Sequence, residues 1–387
     1  TFDADPANQV LTVNGKIKIT QGVPGAGKVL TSDADGLATW EVNGGSGWSL
    51  TGNTGTTDIT TDPDGVLTAG NFIGNIDNIP LNFVVNNYKA GRIDGTLRNS
   101  FWGYKAGNVN TTGYENTFIG TSTGNNNVDG GSNTFLGYSA GLSNTSGNDN
   151  VFIGADAGLS NTTGGSSVFI GTFAGHNSDA GAGNVFIGAS SGYGNTTGYG
   201  NVSIGGYGGG GIGTGNVNTF VGGNSGYANT SGGYNSFLGG GSGAANTSGG
   251  FNSFIGNNSG VSNISGEYNS FLGFESGHSN ISGSNNTYIG DFSGYLTTGS
   301  NNVFLGYQAG YSETGNNKLY IANSNTATPL IGGDFSTGNV EIKGGNLEIG
   351  KSDAQKGITL YDTATGSAYC VTIASGALAV GAGVCAI

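Results

Sequence analysis

The sequence repeats itself at a fixed interval. Short apolar stretches such as NTFIG at Asn116, NTFLG at Asn133, NVFIG at Asn150 and Asn184, and NSFIG at Asn252 each end on a glycine. Aligned on it, the chain places Gly103, Gly120, Gly137, Gly154, Gly171, Gly188, Gly205, Gly222, Gly239, Gly256, Gly273, Gly290 and Gly306, in eleven steps of 17 residues and one of 16. A second glycine follows each of these four residues later, from Gly107 to Gly310. Units of this length are too short for the helix pairs of tetratricopeptide, ankyrin or HEAT repeats, and their Gly, Asn, Ser and Thr oppose helix. Two short strands and two turns per unit are expected. The fold class is therefore all-β: a parallel β-solenoid (β-roll) of thirteen 17-residue coils with small β-hairpin modules at both ends, expected as a trimer. At one strand spacing of ~4.8 Å per coil, the stack would climb roughly 60 Å.

Each coil carries the same pattern before its closing glycine. The fourth residue back is Asn in twelve of thirteen coils, with Ser167 the exception. Two residues back the chain places Phe101, Phe118, Phe135, Phe152, Phe169, Phe186, Phe220, Phe237, Phe254, Phe271, Tyr288 and Phe304, with Ser203 the exception. The residue before the glycine is always apolar, as in Ile119, Leu136 and Ile153, and the third back is always Val, Thr or Ser. Neighbouring strand residues face opposite sides, so the aromatic row and the Ile/Leu row lie on different faces. One row can fill the coil; the other would stand in water along the stack. A continuous apolar stripe of that kind calls for a cover, so self-association is expected, most simply three rods around a common axis with both ladders forming the assembly core; two sheets folded over each other within one chain would also hide the stripe. The Asn row is expected to bond from coil to coil.

The pattern N-[STV]-F-[IL]-G followed by a small residue and Gly, as in NTFLGYSAG from Asn133 to Gly141, resembles the β-roll head repeats of trimeric autotransporter adhesins. It also resembles the Gly/Asn-rich repeats of bacterial surface and phage tail-fibre-like proteins. GKVLTSDADGLATW from Gly27 and KLYIANSNTATPLIGGDFSTGNVEI from Lys318 look like segments that border such repeats. The resemblance implies a trimeric, extracellular, fibrous attachment protein. No heptad stalk, membrane-anchor barrel signature or tail-fibre chaperone domain is recognisable in the sequence.

Composition narrows the function. The chain has 80 Gly, no Met, 2 Cys, 2 His and 9% charged residues, far below an ordinary soluble domain. A net charge of −13 with 11 Lys and Arg argues against nucleic acid as a partner, since phosphate binding needs clustered cations. The absence of Met suggests a processed, secreted chain, and an extracellular or cell-surface location is expected. Cys370 and Cys385 then read as a local disulfide, with two unpaired thiols as the alternative. The last stretch, from Leu360 to Ile387, is diluted by Gly, Ala, Ser and Thr and reads as buried strands rather than a membrane helix.

Three regions follow: an N-terminal β-rich module (1–80), the solenoid (81–323) and a C-terminal β-rich module with the disulfide (324–387). VLTVNGKIKIT from Val10 and VEIKGGNLEIG from Val340 alternate around Asn14-Gly15 and Gly344-Gly345, as hairpins do. Two readings stay open: both modules cap the solenoid, or they dock head to tail between subunits.

Other motifs carry less. The Asp-Gly turns at Asp33 to Gly36 and Asp62 to Gly65 are half of a calcium loop without the distal Glu, so calcium is a weakly supported ligand and no other cofactor is expected. Asn110, Asn144, Asn161, Asn195, Asn229, Asn246, Asn263 and Asn280 each have Thr or Ser two residues on. They are expected on an exposed turn row, as turn formers or as a glycan row. The same row offers an ice-binding face, interrupted at Ser178, Ile212 and Thr297. Asp156, Asp179, Glu267, Glu275 and Asp291 are scattered and His176 and His278 lie six coils apart, so no catalytic cluster forms and no enzyme is expected. GGYGGGG from Gly205 to Gly211 lacks the Lys of a phosphate loop and is expected to loosen its coil. The expected function is a structural subunit of an extracellular fibre or surface filament serving attachment, with itself as partner. The alternatives are a trimeric adhesin or tail-fibre tip that binds a cell-surface or glycan receptor without polymerising, an ice-binding solenoid, and a polysaccharide depolymerase.

Overall fold

The computed structural model describes residues 77–343 with their side chains, together with Gly74 and the backbone of flanking strands in residues 28–69 and 358–382. The chain divides into two compact units, residues 1–76 and 77–387. In the first, β1 (Lys28–Ser32) pairs antiparallel with β2 (Ala38–Val42), and β3 (Thr60–Thr61) with β4 (Leu67–Ala69). Asn14-Gly15, the two Asp-Gly turns, Gly344-Gly345 and the Cys370–Cys385 pairing lie outside the described residues.

The second unit is all-β and holds the solenoid. It starts with an antiparallel run of β5 (Leu81–Val85), β6 (Tyr88–Asp94) and β7 (Asn99–Trp102). Twelve three-residue strands follow: β8 (Thr117–Ile119), β9 (Thr134–Leu136), β10 (Val151–Ile153), β11 (Val168–Ile170), β12 (Val185–Ile187), β13 (Val202–Ile204), β14 (Thr219–Val221), β15 (Ser236–Leu238), β16 (Ser253–Ile255), β17 (Ser270–Leu272), β18 (Thr287–Ile289) and β19 (Val303–Leu305). From β7 to β20 (Lys318–Ile321) each strand pairs parallel with the next, with like repeat positions aligned. The ladder then turns antiparallel through β21 (Ile331–Asp334) and β22 (Asn339–Ile342). No pairing among the described strands joins β22 back to β5, so the ladder is open at both ends. A separate antiparallel sheet contains β23 (Ile358–Tyr361), β24 (Ala368–Ala374) and β25 (Ala377–Ala382).

One expectation is corrected: each coil contains one strand, not two. The coil that includes β9 shows why. After Gly137, Ser139 (φ 52°), Gly141 (φ 58°) and Asp149 (φ 59°) adopt the left-handed conformation, and every such residue ends strand geometry and bends the chain. Non-glycine residues occupy many of these positions, so local preference has yielded to the stack. The stack supplies hydrogen bonds in return. Gly137 and Ser139 donate to Ile119 and Thr121 of the coil before, and Gly141, Ser143 and Thr145 donate to Ala157, Leu159 and Thr162 of the coil after, at 2.8–3.0 Å. Backbone groups are thus paired around the turns as well as along the strand.

The interior has two ladders. Phe101 through Phe186 stack ring on ring at 4.6–5.0 Å, and Phe220 through Phe304 do so at 4.7–5.1 Å, with Tyr288 taking one place. Each of these rings is at most 1% exposed. The second glycine of the repeat lies beneath the ring: a Cβ on Gly141 would sit 2.4 Å from Cε2 of Phe135. The closing glycine meets backbone instead, since a Cβ on Gly137 would lie 2.5 Å from the Gly154 carbonyl oxygen of the next coil.

The second ladder is amide. Asn133 accepts the Asn150 backbone N–H at 3.0 Å through its Oδ1 and donates through Nδ2 to the Gly147 carbonyl at 2.8 Å. Asn144 donates to the same carbonyl at 3.1 Å and to Oδ1 of Asn127 in the preceding coil at 2.6 Å. Both side chains belong to one coil, and their convergence closes it. Stacked asparagines therefore bond from coil to coil, as the sequence led us to expect.

Two coils depart from the pattern in both ladders at once. Where Phe is replaced by Ser203, the facing Asn is replaced by Ile212, which is fully buried. A Cβ on Gly209 would meet Ile212 Cδ1 at 2.5 Å, in the place where other coils put their own ring. Ile212 fills the space that Ser203 leaves. The glycine-rich coil around it is not loosened: Gly205 donates to Ile187 at 2.8 Å, Gly209 to Ser225 at 2.8 Å and Gly211 to Tyr227 at 2.7 Å. In the other coil, Tyr288 is accompanied by Thr297, which takes the Asn place. The Tyr288 hydroxyl is buried there without a well-formed hydrogen bond, and burial pushes its phenol well above the ordinary range.

Candidate interaction face

Strand alternation sends the Phe row inward and its two neighbours outward. One outward row holds Ser100, Thr117, Thr134, Val151, Val168, Val185, Val202, Thr219, Ser236, Ser253, Ser270, Thr287 and Val303. The other holds Trp102, Ile119, Leu136, Ile153, Ile170, Ile187, Ile204, Val221, Leu238, Ile255, Leu272, Ile289 and Leu305. Nine members of the second row are 39–50% exposed, and none of the 26 residues carries a charge. Solvent-facing positions commonly carry interspersed Lys, Arg, Glu or Asp, and this face has none of them.

The rows are not uniform along the stack. In β10 to β13 both outward positions are β-branched and aliphatic: Val151, Val168, Val185 and Val202 pair in register, as do Ile153, Ile170, Ile187 and Ile204. In β8, β9 and β14 to β18 a Thr or Ser stands in the first row. A row of left-handed residues borders the strands, including Tyr234, Phe251 and Tyr268, whose half-exposed rings stack at 4.9 and 5.0 Å.

The residues expected to form the assembly core are therefore divided by the fold. Ile119, Leu136 and Ile153 line the outward face. Phe101, Phe118, Phe135, Phe152, Phe169, Phe186, Phe220, Phe237, Phe254, Phe271, Tyr288 and Phe304 are enclosed by their own coils and touch no surface. Their expected contribution to contacts between chains is corrected: they hold the coil together, and the second half of the pattern alone is available to a partner.

The glycan row is corrected as well. Asn110 is 6% exposed, and Asn144, Asn161, Asn195, Asn229, Asn246, Asn263 and Asn280 are fully buried. Their amides point into the coil and form the second ladder, so the folded solenoid offers no nitrogen there for a sugar. Turn chemistry was legible in these residues; their inward direction was not, because Asn-x-Thr reads the same whichever way the amide points. The hydroxyls beside them are also engaged, with Thr145 donating to the Thr162 carbonyl at 3.0 Å and Thr230 to the Thr247 carbonyl at 3.1 Å.

The charged and histidine side chains of the coils are dispersed, and a polar group gathers at the C-terminal end of the ladder. No group of three or more His, Cys, Asp or Glu among the described residues could hold a metal ion. His176 stacks on Tyr193 at 4.9 Å and His278 on Tyr295 at 4.6 Å, each one coil apart. Asp179 accepts a hydrogen bond from the Thr162 hydroxyl, and Asp291 accepts from the Phe274 N–H at 2.8 Å. At the C-terminal end of the ladder Lys318 bonds Asp334 at 2.7 Å, which holds the carboxyl well below the usual carboxylate range. Beside them the Tyr320 hydroxyl donates to Glu313 at 2.6 Å. Among the described residues no helix is long and apolar enough to cross a membrane.

The comparisons with known proteins find no matching protein family, no matching curated protein and no matching solved structure.

Proposed function

We propose that the chain is a structural subunit of an extracellular fibre or surface filament that forms by self-association and serves attachment. The observation that carries this reading is the outward face of the solenoid: thirteen aligned apolar side chains with no charge among them or beside them in the neighbouring row. A repeat protein that needs only solubility would place Lys or Glu there, as edge and surface positions commonly do. The interior supports a structural role, because its aromatic and amide ladders are spent on holding coils in register. The low content of charged residues, 9% of the chain, fits a scaffold whose surface is set by its repeat.

Light scattering of the purified protein over a range of concentrations tests the proposal. Growth of the mass with concentration to open-ended multiples of 38.5 kDa is the expected result. A sharp closed oligomer would favour the non-polymerising adhesin or tail-fibre tip. A single mass of 38.5 kDa at every concentration would overturn self-association altogether.

A further inference from the structure

One coil lacks both of its interior amides. In the coil of β11 the two places that hold asparagine in neighbouring coils are taken by Ser167 and Ser178, and both are fully buried. Ser167 is the one exception in its row, so its coincidence with Ser178 ties the two exchanges to one shared space. Elsewhere the paired amides converge on a single backbone carbonyl. Asn116 and Asn127 donate to Gly130 at 2.8 and 2.9 Å, Asn184 and Asn195 to Gly198 at 2.8 and 3.2 Å, and Asn252 and Asn263 to Gly266 at 2.8 and 3.1 Å. The corresponding carbonyl in the β11 coil belongs to Gly181, which is buried, and none of the described residues donates to it. A buried carbonyl without a donor is uncommon in a folded chain.

The serines reproduce only half of what the amides do. Ser167 Oγ accepts the Asn184 N–H at 3.2 Å and Ser178 Oγ accepts from Asn195 Nδ2 at 3.2 Å, as amide oxygens do in other coils. Nothing takes over the amide nitrogens, since the Ser167 hydroxyl donates to Gly165 at 3.3 Å instead. In the preceding coil the fully buried Asn161 has a partner for neither of its amide atoms, so whichever way that amide is turned its oxygen lacks a donor. The coil has not sunk into the space. Phe169 keeps its distance from Phe152 at 4.6 Å and from Phe186 at 5.0 Å, and Val168 and Gly175 still donate to Asn184 and Ser191 at 2.8 and 2.9 Å.

We infer that the β11 coil binds ordered water in its interior, donating to the Gly181 carbonyl and shared with Ser167, Ser178 and Asn161. The chemistry of the site selects this ligand. An ion would lose its hydration beside four uncharged groups with no counter-charge, and an apolar guest would leave the carbonyl unpaired. Water supplies the missing hydrogens and accepts in turn, and buried waters make about three hydrogen bonds to groups of this kind. Each exchange of Asn for Ser withdraws a carbon and a nitrogen from the interior, so the two together leave room for it.

Oxygen-17 magnetic relaxation dispersion, which counts long-lived internal waters per chain, tests the site on the full chain. Ser167→Asn with Ser178→Asn restores the pattern of the neighbouring coils and displaces the water. The expected result is a lower count than in the parent, with the melting midpoint unchanged or raised, while Ser265→Asn on an exposed turn leaves the count as it was. An equal count in parent and double variant overturns the inference. So does a midpoint that falls by several degrees, because the asparagines then find no room. A high-resolution crystal structure of the parent serves if the variant does not fold. Solvent density within hydrogen-bond distance of the Gly181 oxygen and Ser178 Oγ supports the site, and a space without density, or a side chain reaching that carbonyl directly, overturns it. The site lies inside one chain, so either result stands apart from self-association.

Discussion

At the scale of single residues, the informative positions are those where the repeat is broken. Ser203 and Ile212 exchange the large apolar and the small polar member of one coil, and the ring space vacated by the first is filled by the second. The pair should behave as a unit. Ser203→Phe alone adds a ring to an occupied space and should destabilise by about 1–3 kcal/mol, and Ile212→Asn alone should cost about 2 kcal/mol or more through the cavity left beside Ser203. Together they restore the common pattern, so chemical denaturation should show a favourable coupling of about 1–3 kcal/mol. Strictly additive effects would show that Ile212 does not fill that space.

At the scale of the element, the C-terminal end of the ladder differs from the coils because its strands turn antiparallel and its bonds include charged groups. Tyr320 on β20 donates to Glu313, and its phenol is pushed up to about 12 by burial, by that hydrogen bond and by the carboxylate charge. A folded pKa above the unfolded value of about 10 means stability that is fully present below pH ~10 and lost as the pH rises through about 12. Deprotonation would put a phenolate against the Glu313 carboxylate. Hydrogen exchange or tyrosine absorbance should therefore report loosening of β20 between those pH values, and Tyr320→Phe should remove that transition. An unchanged alkaline transition in the variant would show that another group controls the end. The Lys318–Asp334 pair on β20 and β21 acts at the opposite extreme: its depressed carboxyl contributes above the ordinary Asp range and is lost as the pH falls below it.

At the scale of the whole solenoid, stability is close to a sum over coils and the contacts between neighbours. Two runs of six stacked rings meet at the coil of Ser203, where the amide ladder also stops and leaves Asn195 Oδ1 without a partner. Among the described residues that coil is the one break in the ring stack, while the amide row is also broken at Ser178 and at Thr297. Deleting residues 196–212 removes one full repeat together with Ser203 and Ile212 and brings Phe186 below Phe220 and Asn195 below Asn229. The shortened chain should fold with an unfolding midpoint equal to or above that of the parent, although it has one coil fewer. A fall of several degrees would mean that the exchanged pair is as good a layer as the phenylalanines it replaces.

Much of this architecture was present in the order of the residues. A repeat of 17 with apolar residues and Asn at fixed places determines a stacked solenoid and an amide ladder, because identical units can satisfy their apolar and polar groups only against neighbours of the same kind, but which apolar row fills the interior was decided by the structure. Alternation along three strand residues also determined that one apolar row would be left outside. The single strand per coil was not legible, since the left-handed residues that replace the second strand include Ser139, Asp149, Phe251 and Tyr268, none of which announces that conformation. Nor was the burial of Asn144 and its counterparts, or the replacement of a lost ring by Ile212 nine residues away. Those features depend on which way a side chain turns once the coil has closed. Only the tertiary structure decides that, because the closing contacts come from other coils and from the far side of the same one.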